Sequence, residues 1–212
     1  MAKNKKYTYS FTGASALIAE TLVIAEEYFK LQDWKAVEQS LLENNLLNKV
    51  KQATFKREFF EIKKRLSLLT QDQLQLMIHG SLDDAKAMIL LSLVKAYTFL
   101  RDFIVEVIRN KYLIYDTVIS DSDYLKFVNS KSLSHNELSA ITEVTAKKVK
   151  QVIFKLLEQV GLITQAKNGS ILKPILNNKV IDVIVDDDPA LLNAFLFSNE
   201  EIKMLLQKLK HA

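Results

Sequence analysis

Four glycines and two prolines are spread over 212 residues. That scarcity constrains the fold most, because strand-rich sandwiches need turn residues roughly every 8–12 positions. Helices joined by short links meet it best. The expected class is therefore all-α, mainly helical, with at most a small β-hairpin. Hydrophobic residues make up 49 % and charged residues 25 %, which excludes a disordered chain. No cysteine is present, so disulfides, thiol catalysis and Cys-based zinc sites are excluded. The same absence fits a reducing compartment, and a cytoplasmic location is expected.

Residues 7–13 read as extended, ending at Gly13. Ser15 is expected to cap a helix to about Leu31, and Asp33 a second helix that ends near Asn44 and Asn45. A third helix spans about Thr54 to Leu69, with Phe55, Phe59, Ile62, Leu66 and Leu69 on one stripe. Thr70 with Gln73 predicts a capping box for a short helix closed by Gly80. Ser81 with Asp84 predicts the start of the longest helix, about Leu82 to Lys111. Its most apolar run, Ala87 to Val94, is far shorter than the ~20 residues of a membrane span. No membrane partner is expected. Ser120 opens another short helix, Asp188 with Pro189 another, and Ser198 with Glu201 caps the last. Polar residues cluster between 116 and 134. They suggest a helical N-terminal domain over 1–118 and a winged-helix-like C-terminal domain over 119–212.

Residues 135–173 carry the sharpest local pattern. His135 to Ile141 reads as a short helix, Thr142 to Val144 as a tight link, and Thr145 as the cap of an amphipathic helix. Val149, Val152, Ile153, Leu156, Leu157 and Val160 form its apolar face, and Gly161 ends it. Two short strands then flank Asn168-Gly169, the pair favoured in two-residue hairpin turns with positive φ at both positions. Short helix, turn, amphipathic helix, hairpin is the order of a winged helix-turn-helix. Its polar face carries Lys147, Lys148, Lys150, Gln151 and Lys155, and Lys167 sits at the hairpin tip. Lysines there would neutralise phosphates, and Gln151 has the donor–acceptor pair that reads adenine.

The net charge of +4 conceals a strong asymmetry. Residues 1–70 and 121–181 each carry +4, whereas residues 182–212 carry −3. In the first basic region, Lys56, Arg57, Lys63 and Lys64 project from the third helix in two parallel rows, with Arg65 at the flank and Lys49 and Lys51 preceding. Two basic helix faces in one chain point to nucleic-acid binding, with a solvated surface or a protein-interaction module as the plain alternative.

Signals for chemistry are missing. His79, His135 and His211 have no metal-ligand spacing, and there is no phosphate loop, nucleophile elbow or HExxH. Asp102 and Glu106, near Arg101 and Arg109, suggest buried ion pairs, and Asp186 to Asp188 suggest helix-capping charge. No enzyme activity, cofactor or metal is expected.

Several segments resemble one family. They are Tyr9 to Ser15 (YSFTGAS), Asp33-Trp34, Arg65-Leu66, Phe103 to Lys111 (FIVEVIRNK), Thr145 to Ile163 and Asp186 to Pro189 (DDDP). In this order they are similar to the BrxA family of BREX phage-defence systems. The resemblance implies a small, helical, non-enzymatic DNA-binding accessory. Its implied partners are other BREX proteins: methyltransferase, ATPase and phosphatase-like subunits. Two alternatives stay open: a protein-interaction scaffold, and a NusB-like RNA-binding factor.

Overall fold

Short-range capping chemistry sets most of the helix starts. In this computed structural model, which describes residues 6–13 and 15–209, α1 (Ile18–Leu31) is followed by α2 (Trp34–Glu43). Asp33 caps α2 by accepting from the backbone N–H groups of Lys35 and Ala36. After α3 (Gln52–Leu66), Thr70 and Gln73 form the expected capping box of α4 (Gln71–His79). Ser81 and Asp84 form that of α5 (Leu82–Ala96). His211 lies outside the described residues, as do Lys3 and Lys5.

Helix α1 packs on α2, α3, α4 and α5, and α4 folds back on α5. The structure is mostly helical, and its buried core runs without a gap from Tyr7 to Leu196. Phe103 lies 5.3 Å from Phe127 and 6.2 Å from Phe154, so α8 (Asp121–Ser132) and α10 (Glu143–Gln159) share the core of the N-terminal helices. Among the described residues, no helix is long and apolar enough to cross a membrane.

Several expectations are corrected. Ser15 does not cap α1; Leu17 precedes the helix at φ 49 with no side-chain cap, because Ser15 and Ala16 are held by distant side chains. The helix expected from Leu82 to Lys111 is broken at Tyr97, whose backbone is extended (φ −127, ψ 97). No glycine or proline causes the break. The buried Tyr97 ring packs 5.1 Å from Phe11 and its hydroxyl meets Arg65, so tertiary contacts override the local helical preference. The chain continues as α6 (Thr98–Phe103), a wide π-helical turn (Ile104–Arg109) and α7 (Asn110–Leu113). Asp102 pairs with its neighbour Arg101 at 3.5 Å, in a half-exposed contact, but neither Asp102 nor Glu106 pairs with Arg109. Tyr7 donates to Asp102 at 2.8 Å, Lys131 pairs with Glu106, and Arg109 binds the Phe197 carbonyl and Asn199.

A further correction concerns α10. Its cap is Thr142, which accepts from the Thr145 N–H, so Thr145 lies inside the first turn. The link from α9 (Asn136–Ser139) is therefore residues 140–142. Beyond Gly161 the chain makes isolated antiparallel bridges, Ile163 with Ile171 and Val118 with Ser170. Asn168 has φ 49, but Gly169 is not in the positive-φ region, so the two-residue turn with both φ positive does not form. Gly169 is required for another reason: a Cβ there would lie 2.1 Å from the Gln165 carbonyl oxygen. Residues 117–119 bond to this loop through Ile119 N–H to Gly169 O (3.1 Å) and Ile171 N–H to Thr117 O (2.6 Å). The chain then forms α11 (Asn178–Val185), a 3-10 segment (Pro189–Phe195) capped by Asp188, and α12 (Asn199–Leu209).

Candidate nucleic-acid interface

The two basic faces, about 90 residues apart in sequence, both border Ser10–Gly13, Ser15 and Ala16. Ser10–Gly13 forms one 3-10 turn, in contact with both α3 and α10. The Thr12 hydroxyl donates to the Tyr9 carbonyl at 2.8 Å and tightens that turn. From α3, Arg65 donates to the Ser15 carbonyl at 3.0 Å. From α10, Gln159 accepts from the Ala16 N–H at 3.0 Å.

Arg65, expected at the flank of the basic face, is instead 1 % exposed. Burial pulls its pKa down to about 10 while Glu61 acts to raise it, so it remains a cation at neutral pH. Its place is structural. It joins the N-terminal segment to the Tyr97 break, leaving Arg57 and Lys64 on the outer side of α3.

The outer cations fall into two groups. Lys64 donates to the Ser10 hydroxyl at 3.0 Å and lies over the Tyr97 ring. The Arg57 stem runs beside Gly13, where a Cβ would lie 3.3 Å from the arginine Cδ. On the other side, Lys148, Gln151 and Lys155 line a groove of about 350 Å³ together with Thr12, Gly13 and Ser15. Arg57, Lys64, Lys148, Gln151 and Lys155 therefore border one segment. Lys63 lies over the Trp34 ring, toward α2, and Lys56 shares its row. Lys147 and Lys167 are exposed outside the groove lining.

Ion pairing separates free cations from engaged ones. Lys150 pairs with Asp121 across to α8, and Lys155 pairs with Glu158 at 2.9 Å. Lys49, read as part of the basic approach to α3, is held by Glu20 at 2.8 Å and Glu58 at 2.9 Å. Its pKa is raised by the hydrogen bonds it donates to those carboxylates. Among the described residues, Lys56, Arg57, Lys147, Lys148 and Lys167 have no carboxylate partner. Such unpaired, solvated cations can exchange counterions for phosphates at little cost.

Residues 135–137 are tied to the same N-terminal segment. The Tyr7 ring stacks on His135 at 3.8 Å, and Glu137 accepts from both the Tyr7 N–H (2.7 Å) and the His135 ring (2.9 Å). Burial acts to raise the Glu137 pKa, but those hydrogen bonds outweigh it and hold the group to about 2. A larger cavity of about 810 Å³ lies between α4 and α11, lined by Asp72, Gln75, His79, Asn177 and Asp182 among others. No cluster of three or more His, Cys, Asp or Glu that could hold a metal ion occurs among the described residues.

The bridging role of Ser10–Gly13, Ser15 and Ala16 was not legible in the sequence. These residues carry no charge, and their partners lie 50 and 143 positions away. The only available signal was the resemblance of the Tyr9 to Ser15 stretch to one family.

Fold and site together define a mainly helical protein with basic faces gathered on a neutral N-terminal turn. Residues 5–188 match the BrxA family model, and the chain belongs to the BrxA family. It is 25 % identical over 151 residues to the BREX protein BrxA of Bacillus cereus (strain H3081.97), covering 71 % of this chain and 73 % of that protein. It is 23 % identical over 164 residues to the BREX protein BrxA of Escherichia coli O9:H4 (strain HS), covering 77 % of each. The crystal structure of an uncharacterized protein from Magnetospirillum magneticum shares the fold. Its TM-score is 0.78 at 17 % identity, over 91 % of this chain and 98 % of that one.

Proposed function

We propose that this chain is a non-enzymatic, double-stranded DNA-binding accessory of a BREX phage-defence system. The observation that carries it is the placement of Arg57 and Lys64 on one side of residues 10–15 and Lys148 and Lys155 on the other. A phosphate backbone needs this multiplicity of cations along one path. Residues 136–172 act as a winged helix-turn-helix in this reading. Helices α9 and α10 form the two helices, and the bridged loop carrying Lys167 forms the wing. The division into an N-terminal helical part over 1–118 and a winged-helix part over 119–212 follows, with both parts sharing one core. Names of the B. cereus and E. coli relatives support the BREX assignment.

A second role, docking onto other BREX proteins, is favoured by large apolar side chains left in solvent. Ile114, Tyr115 and Leu133 are 72 %, 91 % and 90 % exposed, around the start and end of α8. Ile114 and Tyr115, adjacent in sequence, leave an apolar pair in solvent of the kind a protein contact covers.

Fluorescence anisotropy with a labelled duplex at low salt tests the DNA reading. Lys147→Glu with Lys148→Glu is expected to weaken binding at least tenfold, because each reversal adds repulsion where attraction stood. Wild-type binding that survives both reversals would overturn it. A structured RNA that competes better than the duplex would favour the RNA-binding alternative.

A further inference from the structure

We propose that Ser10, Thr12, Gly13 and Ser15 are themselves a nucleic-acid-binding element. They seat one phosphodiester of the bound strand and make the α3 and α10 cations a single footprint. This rests on the duplex-binding reading above and goes beyond it by assigning a site to a stretch without a cation.

Position carries the first part of the argument. Lys64 reaches the Ser10 hydroxyl at 3.0 Å, and the Arg57 stem lies against Gly13. Lys148, Gln151 and Lys155 share the opposite groove with Thr12, Gly13 and Ser15. A strand that touches both sets of cations must pass over this turn. The groove, about 350 Å³, is far too small for a helix but admits a sugar–phosphate unit.

Chemistry carries the second part. The turn offers small, neutral side chains, so a phosphate approaches the backbone without meeting a carboxylate or a bulky group. Hydroxyls of Ser10 and Ser15 can donate to a phosphate oxygen. Preorganisation carries the third. The Thr12 hydroxyl is engaged with Tyr9, the Ser15 carbonyl with Arg65 and the Ala16 N–H with Gln159. The seat is thus fixed from both sides before any ligand arrives, which spares the ordering cost of binding.

The alternative is that each basic face holds its own duplex and the chain bridges two molecules. Charge placed at the seat separates the two. Ser15 borders the groove without a side-chain partner, so Ser15→Glu and Ser15→Lys should both fold, which equal melting temperatures would confirm. With a short duplex at about 0.1 M salt, Ser15→Glu should raise Kd about fivefold, the Coulomb effect of one unit charge about 4 Å from a phosphate in water. Ser15→Lys should lower Kd by a similar factor. Saturation should require one duplex per chain. Wild-type binding with two duplexes per chain, or with Kd unmoved by either Ser15 change, would overturn the seat while leaving the duplex-binding reading intact. No wild-type binding at low salt would overturn both.

Discussion

Replacing Arg65 by Met removes the guanidinium that holds α3 to the N-terminal turn and keeps an unbranched stem of similar shape. Arg65 is 1 % exposed, donates to the Ser15 carbonyl at 3.0 Å and lies 3.7 Å from Glu61. The substitution leaves the Ser15 carbonyl short of a donor, worth ~1–3 kcal/mol. It also leaves the buried Glu61 carboxylate without its cation, and breaking a buried pair costs ~3–5 kcal/mol. At 3.7 Å the pair is loose, so the lower end applies. The expected total is about 4 kcal/mol, or a drop in Tm of roughly 8–16 °C for a chain of this size. Thermal melting and urea unfolding at pH 7, followed by circular dichroism, give the value. Adding Glu61→Gln should recover part of the loss by removing the orphaned charge. A loss below about 1 kcal/mol, within the range of an ordinary surface change, would refute the claim that Arg65 is the latch of this turn.

Three further outcomes are expected. Glu137 titrates below its ordinary value, so its stabilisation is complete above pH 4.5 and disappears as pH falls toward about 2. Glu137→Gln should therefore lower stability at pH 7, flatten the acid limb of the stability curve and leave the two proteins alike at pH 2. The glycines should respond for different reasons. Gly161→Ala, at φ +80 with open space, should cost ~1 kcal/mol of backbone strain, while Gly169→Ala meets the Gln165 backbone at 2.1 Å and should cost more, ~1–3 kcal/mol; urea unfolding ranks the two. On DNA, Arg57→Gln with Lys64→Gln should weaken duplex binding more than Lys56→Gln with Lys63→Gln, because only the first row borders the N-terminal turn; equal effects in an anisotropy titration would contradict that geometry.

Legibility in the sequence followed the range of the interaction. Caps such as Asp33, Thr70 with Gln73, and Ser81 with Asp84 act within three residues, and all three form as read. The stripe Phe55, Phe59, Ile62 and Leu66 is buried as its spacing predicts. The break at Tyr97 could not be read locally, since Arg65 and Phe11 produce it from distant positions. Leu17 likewise replaces Ser15 before α1 because Arg65 and Gln159 hold the preceding turn. The candidate site follows the same rule. Each lysine row was visible as a helix face, but nothing in the spacing of α3 or α10 brings Arg57 and Lys148 to the same N-terminal turn. Asp121 pairing with Lys150, and Glu158 with Lys155, also had to come from the fold, and these pairs reduce the set of unpaired cations on α10 to Lys147 and Lys148.

The salt dependence of duplex binding tests the central claim most directly. Arg57, Lys64, Lys148 and Lys155 border the turn, and the exposed Lys155–Glu158 pair is weak enough for a phosphate to displace it, so about four phosphates should be neutralised. A plot of log K against log salt between 50 and 200 mM should then be linear with a slope of roughly −3.5. Replacing Arg57 and Lys148 by Gln should bring it to roughly −2. A slope near zero, or one unchanged by the two substitutions, would contradict a phosphate-tracking surface built on α3 and α10.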